Sequence, residues 1–211
     1  IKTRNGGALL RAEKWSIQAW TARPLQMGKA MRSPSRWAIK FSAKTRDIAL
    51  AAAFGALLFV AQVALAFLPN IEVVSILVIV FTLTFGRSVI PMLGVFVLLE
   101  GLVYGFGIWW FSYLYLWPIL AGISWLCRKV KGVFAWALIS AAYGLCFGAL
   151  CSIPYFLAGG WAAGVSYWVA GIPFDLAHCG GNFIAALALF VPLRRALERL
   201  KASMGRAAKK E

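Results

Sequence analysis

Acid is scarce in this chain: seven of its 211 residues are Asp or Glu and one is His, against 22 Lys and Arg. With 62% hydrophobic residues, it lacks the mixed polar surface that a water-soluble domain of this size needs. Lipid is therefore the expected solvent for most of the chain. Strict apolar-polar alternation is also missing, which excludes a membrane β-barrel. The sequence holds no G-x-x-x-x-G-K-[ST] phosphate loop, so ATP hydrolysis is not expected in this chain. Ser, His and Asp, or two acids, do not fall at a spacing that makes an enzyme site. The four cysteines, Cys127, Cys146, Cys151 and Cys179, lie in or beside apolar stretches without paired spacing for zinc, and are expected to pack rather than bind metal.

Positive charge is abundant, and a net charge of +15 raises the question of nucleic acid. The positions of the basic residues answer it. Eleven lie in residues 1–46, one is Arg87, three are Arg128, Lys129 and Lys131, and seven lie between Arg194 and Lys210. Such segregation is the mark of membrane topology, so no nucleic-acid partner is expected.

Residues 1–47 form a basic N-terminal segment with Trp15, Trp20 and Trp37 among the charges and Pro24 and Pro34 interrupting any helix. They hold no continuous apolar core of the kind a secretory signal needs. The segment either lies on an anionic membrane surface or is a disordered cytoplasmic tail, and both readings stay open. Residues 48–193 contain six apolar stretches of the length that helices need to cross lipid: 48–67, 71–86, 88–107, 108–127, 132–153 and 172–193. The expectation is an all-α integral membrane protein with six transmembrane helices and a basic cytoplasmic C-terminal tail over 194–211. Placing both termini in the cytoplasm puts every Lys and Arg on one side. Residues 155–170 would then be an outer loop or a short helix folded back into the outer leaflet, since a seventh crossing would carry the basic tail outside.

Within the spans, ionisable groups are costly, about 2.5–3.5 kcal/mol at a helix centre on insertion scales, which makes Glu100, Asp175 and His178 candidates for function. Ile172-Pro173 reads as a helix start, with Asp175 in the first turn either as a cap or as a ligand. Asp175, His178 and Asn182 share one helix face, which serves either a ligand or helix-to-helix hydrogen bonds. Around the same outer half fall Asn70, Glu72, Tyr104, Trp109, Trp110, Tyr113, Tyr155, Trp161, Tyr167 and Trp168. They form an interfacial aromatic belt, a small-molecule pocket, or parts of both. Small residues four apart, at Ala49 and Ala53, Ala52 and Ala56, Gly101 and Gly105, and Gly144 and Gly148, permit close helix approach.

A basic start, small residues in the first helix, the run Phe67-Leu68-Pro69-Asn70-Ile71-Glu72, the run from Glu100 to Gly107, and Gly171-Ile172-Pro173-Phe174-Asp175 stand together on six short helices. Over residues 45–197 this layout resembles a substrate-binding S component of an energy-coupling factor (ECF) transporter. The resemblance implies a high-affinity receptor for a vitamin or related micronutrient in a bacterial or archaeal cytoplasmic membrane. It implies a transmembrane coupling subunit and two cytoplasmic ATPases as partners, with ATP and magnesium bound there and no cofactor in this chain. The family's A-x-x-x-A signature maps onto Ala49 and Ala53, with Ala52 and Ala56 as a second register toward the coupling subunit. Its ligand pocket overlaps Asn70, Glu72, Glu100, Tyr104, Trp109, Tyr113, Trp161, Trp168, Asp175, His178 and Asn182. The aromatic richness favours a ring-bearing ligand, and a corrinoid is one candidate because His178 or Cys179 offers a donor to its metal. Two other functions remain open: a stand-alone secondary transporter or channel using Glu100, Asp175 and His178 as an ion pathway, and a membrane-embedded enzyme or assembly factor using Asp175 and His178.

Overall fold

The computed structural model describes residues 43–68 and 71–208. Most of the basic N-terminal segment, Pro69, Asn70 and residues 209–211 lie outside the described residues. The described chain is helical, with no strand: α1 Ala43–Ala64, α2 Val74–Phe85, one 3-10 turn Gly86–Ser88, α3 Val89–Tyr104, α4 Ile108–Leu126, α5 Val133–Leu145, the short α6 Phe147–Cys151, and α7 Ile153–Ala208. Three stretches are long and apolar enough to cross a membrane: Thr45–Ala64, Val74–Tyr104 with the 3-10 turn in its middle, and Ile153–Arg206. Closing backbone hydrogen bonds within each segment is what favours helices from sequence so poor in polar side chains.

The centre of the bundle is α2. Its residues from Val74 to Thr82, and Thr84, are buried on every side of the helix, which no amphipathic surface helix would show. It packs against α7 and α4, while α1 lies on α3 and α5 lies along α7. Aromatic rings fill the seams: Phe54 stands 4.8 Å from Phe81 edge-on, Phe96 lies 5.5 Å from Trp117, and Trp136 stacks on Phe190 at 5.7 Å.

The two ends of the bundle differ in chemistry. At one end a cleft of about 610 Å³ is lined by Arg46, Arg87 and Lys201 with Asp47, Met92 and Met204. There the Lys201 ammonium donates to the Thr84 carbonyl, tying α7 to the end of α2. At the other end Gln62, Glu72, Glu100, Tyr104 and His178 come together.

Helix boundaries differ from the sequence reading in several places: α1 already begins at Ala43, inside the expected N-terminal segment, and α7 runs on to Ala208, through most of the expected tail. The stretch expected as one helix over 132–153 stops at Leu145 and resumes as α6. The sixth helix does not start at residue 172 after an outer loop. Residues 153–159 are helical, Gly160 breaks the run at φ 75°, and helix continues from 161 through Pro173 and Pro192 to Ala208. Only a residue without Cβ takes up such a left-handed conformation cheaply, so Gly160 sets the break. Across it, Phe156 sits 5.2 Å from Trp161 and Tyr155 stacks on Tyr167 at 4.0 Å, so 153–159 folds back on the start of the long helix. Proline fails to stop α7 because it removes one hydrogen bond, whereas an unravelled segment in an apolar setting would expose many.

Gly55 sets the distance between α1 and α3. A Cβ there would lie 2.6 Å from Val95 Cβ and 2.7 Å from the Met92 carbonyl oxygen. Gly55→Ala is therefore expected to destabilise the protein by about 1–3 kcal/mol, read as a lower thermal unfolding midpoint in detergent. Gly94→Ala has open space around it and should hold or raise the midpoint. Equal midpoints for the two variants would refute this packing.

Candidate functional site

The site is built around the seam between α5 and α7. Gly144 lets the two backbones approach so closely that a Cβ on it would stand 2.9 Å from the carbonyl carbon and oxygen of His178. That approach leaves the His178 ring 3% exposed, 4.7 Å from the Phe147 ring, with Nε2 3.1 Å from Glu72 Oε1. The other oxygen of Glu72 accepts the Ser75 backbone N–H at 2.8 Å. One carboxylate thus satisfies a free donor in the first turn of α2 and fastens that helix to α7. Where the carboxylate is ionised it only accepts, and Nε2 is then the donor of this pair. The opposite nitrogen, Nδ1, is buried without a partner.

Beside this pair lies a cavity of about 410 Å³. Its apolar floor comes from Leu65, Ala66, Leu68 and Ile71, and its aromatic wall from Tyr104, Trp109, Tyr113, Trp117 and Phe147. Trp109 and Tyr113 meet edge to face at 5.3 Å, as do Tyr113 and Trp117 at 5.4 Å, which locks these rings against one another. The Gln62 amide donates to the Tyr113 hydroxyl at 3.3 Å. Glu100 completes the polar lining, 1% exposed, with Oε1 buried and unpartnered.

The structure divides the expected site residues into groups. Glu72, Glu100, Tyr104, Trp109, Tyr113 and His178 line this one cavity. Asn70 lies outside the described residues. Asp175 and Asn182 share the buried face of His178, as their spacing implies, but each meets a different neighbour. The Asn182 amide donates to the Ser140 carbonyl at 3.3 Å across the α5–α7 seam. Asp175 Oδ1 accepts the Gly148 N–H at 2.8 Å, in a second cavity of about 360 Å³ that also holds Cys151 and Tyr167. Asp175 therefore caps, but it caps α6 from the side rather than its own helix. Trp161 and Trp168 are 79% and 43% exposed and line neither cavity. Trp110 serves the fold, donating its indole N–H to the Val97 carbonyl at 2.8 Å.

Seven lining residues escaped the sequence reading: the apolar Leu65, Ala66, Leu68 and Ile71, and Gln62, Trp117 and Phe147. Of the last three, one could have been found. Gln62 carried a usable signal, since it is the one amide in an apolar first helix. The other two are aromatic residues among many, and only contact identifies them. On the far side of α1, Ala49, Ala52 and Ala53 are exposed and Ala56 is half-buried, whereas Ala51, Phe54, Gly55 and Leu58 face the core. All four cysteines are free, and no group of three or more His, Cys, Asp or Glu among the described residues could hold a metal ion.

Asp175→Ala is expected to cost about 1–3 kcal/mol, because it strands the buried Gly148 N–H. Asp175→Asn keeps an acceptor and should lose clearly less. Thermal unfolding of the two variants in detergent checks this, and an equal loss would show that charge rather than capping is what matters.

Compared with protein-family models, curated proteins and solved structures, the chain matches none of them.

Proposed function

We propose that this chain is the substrate-capturing S component of an ECF-type importer, taking a ring-bearing vitamin or related micronutrient from the outer face. The observation that carries the reading is the cavity of about 410 Å³, aromatic-walled with a few polar groups, at the end of the bundle opposite Arg46, Arg87 and Lys201. Pockets of roughly 300–1,000 Å³ with this mixture are what small ligands occupy. Basic residues favour the cytoplasmic side, so in this reading both termini are cytoplasmic and the cavity opens outward.

Six crossings are counted as α1, α2, α3, α4, α5 with α6, and the part of α7 up to residue 193. The twelve residues of α2 reach roughly 18 Å, short for a helix that meets lipid, yet sufficient for one walled in by protein. Beyond residue 193, α7 carries Arg194, Arg195, Arg199, Lys201 and Arg206 into the cytoplasm. The exposed alanines of α1 offer a flat face on which a helix of the coupling subunit packs closely. ATP and magnesium belong to the two partner ATPases.

The corrinoid candidate loses ground on volume, since the cavity is near the lower end of the range for small-molecule sites. A ligand of one or two rings suits the space better.

The buried Glu72–His178 pair favours a second reading, a stand-alone secondary transporter with a proton pathway. That reading needs a route from the cavity to the basic end, and the path along α2 is filled by Ile76, Leu77, Val78, Ile79, Val80 and Phe81.

Two experiments test the proposal. Reporter fusions at either end are expected to report the cytoplasm, and an external C-terminus would overturn the six-crossing reading. Ala53→Leu should abolish uptake in cells that supply the coupling subunit and ATPases, while mass spectrometry still finds a small molecule retained by the purified variant. Undiminished uptake in both Ala52→Leu and Ala53→Leu would remove the partner face.

A further inference from the structure

We propose that the cavity selects an organic monocation, a protonated or quaternised nitrogen carried on one or two rings, with Glu100 as its counter-ion. This rests on the capture reading and adds the charge class of the ligand. The argument is one of unmatched charge. Among the cavity's lining residues there is no Lys or Arg; the acids and bases are Glu72, Glu100 and His178. Glu72 is fully engaged, one oxygen 3.1 Å from His178 Nε2 and the other 2.8 Å from the Ser75 N–H. Glu100 is not.

Its Oε1 is buried without a partner, and neither of its oxygens takes part in an ion pair among the described residues. A carboxylate in that position costs free energy unless something satisfies it, and the protein leaves the space beside it empty of cations. The rest of the wall carries the same sign of potential. Tyr104, Trp109, Tyr113 and Trp117 line the same space, and a ring-borne cation gains wherever it meets the electron-rich face of one of these rings as well as from the carboxylate. An anion would meet two carboxylates and no Lys or Arg. A neutral ring without a hydrogen-bond donor would leave Glu100 as unsatisfied as before.

One bicyclic frame in three charge states tests this on the full-chain protein in detergent, at mildly alkaline pH: N-methylquinolinium, 4-methylquinoline and quinoline-4-carboxylate. Binding is read by isothermal titration and by quenching of tryptophan fluorescence. The cation is expected to bind at least about tenfold more tightly than the neutral frame, and the carboxylate not to bind. Glu100→Gln keeps the shape and removes the charge. It should weaken the cation by on the order of 10- to 100-fold, as for loss of a close opposite charge, and leave the neutral frame unchanged. Should Glu100→Gln fail to fold, Trp109→Leu replaces it, with the same selective loss of the cation expected.

Equal binding of cation and neutral frame, tighter binding of the carboxylate, or a cation affinity indifferent to both substitutions overturns the charge assignment and leaves the capture reading standing. If no member of the series binds while the purified protein retains a small molecule, the charge of that molecule decides, a neutral or anionic one overturning the assignment. If nothing binds and nothing is retained, the capture reading falls and the assignment falls with it.

Discussion

Everything in this bundle is arranged around a helix that its neighbours enclose from Val74 to Thr82. In lipid the hydrophobic effect gives little drive for helices to associate, so shape, close packing and a few polar contacts decide which helix lies inside. The Val and Ile residues of α2 suit that place: stiff side chains pack on all sides and ask for no polar partner. Its ends do need partners, because the first turn of a helix leaves N–H groups free and the last turn leaves carbonyls free. Glu72 answers at one end and Lys201 at the other, and α7, which carries both His178 and Lys201, spans the distance between them.

The cavity follows from the shortness of α2. The helix begins at Val74, whereas α1, α3, α4 and α7 flank Leu65, Ala66, Leu68, Ile71 and Glu72, which precede it, so a space lies between them above the first turn of α2. Rings fill its wall, and the polar groups that reach it come from separate helices. Gln62 comes from α1, Glu72 from the start of α2, Glu100 from α3 and His178 from α7. A site assembled this way depends on helix spacing, which is why Gly144, with no side chain to hold α5 off α7, matters as much to His178 as any residue that touches it.

The buried stripe on α7 shows how one face can serve two ends. Asp175, His178 and Asn182 all point into protein, yet only His178 reaches the cavity. Asp175 and Asn182 secure α6 and α5 against α7, holding the seam on which His178 is mounted. Phe147 stands between, lining the cavity on one side and the Asp175 pocket on the other.

By itself the sequence determined the helical class, the presence of helices apolar enough to cross a membrane and the separation of positive charge from Glu72, Glu100 and His178, because these follow from composition and from local apolar runs. It also marked Gly144 and Gly148 as places of close approach, since that depends only on side-chain size. Tertiary structure alone decided that Asp175 caps a neighbouring helix, that Glu72 rather than Asp175 partners His178, and that residues 161–170 continue α7 instead of forming a loop. Each of these rests on residues far apart in the chain meeting, or on packing that outweighs the local preference of proline and glycine. No window of sequence contains that information. The same holds for the cavity: its aromatic residues are indistinguishable in sequence from an interfacial belt, and only the helix positions separate Trp109 and Tyr113, which line it, from Trp161 and Trp168, which do not.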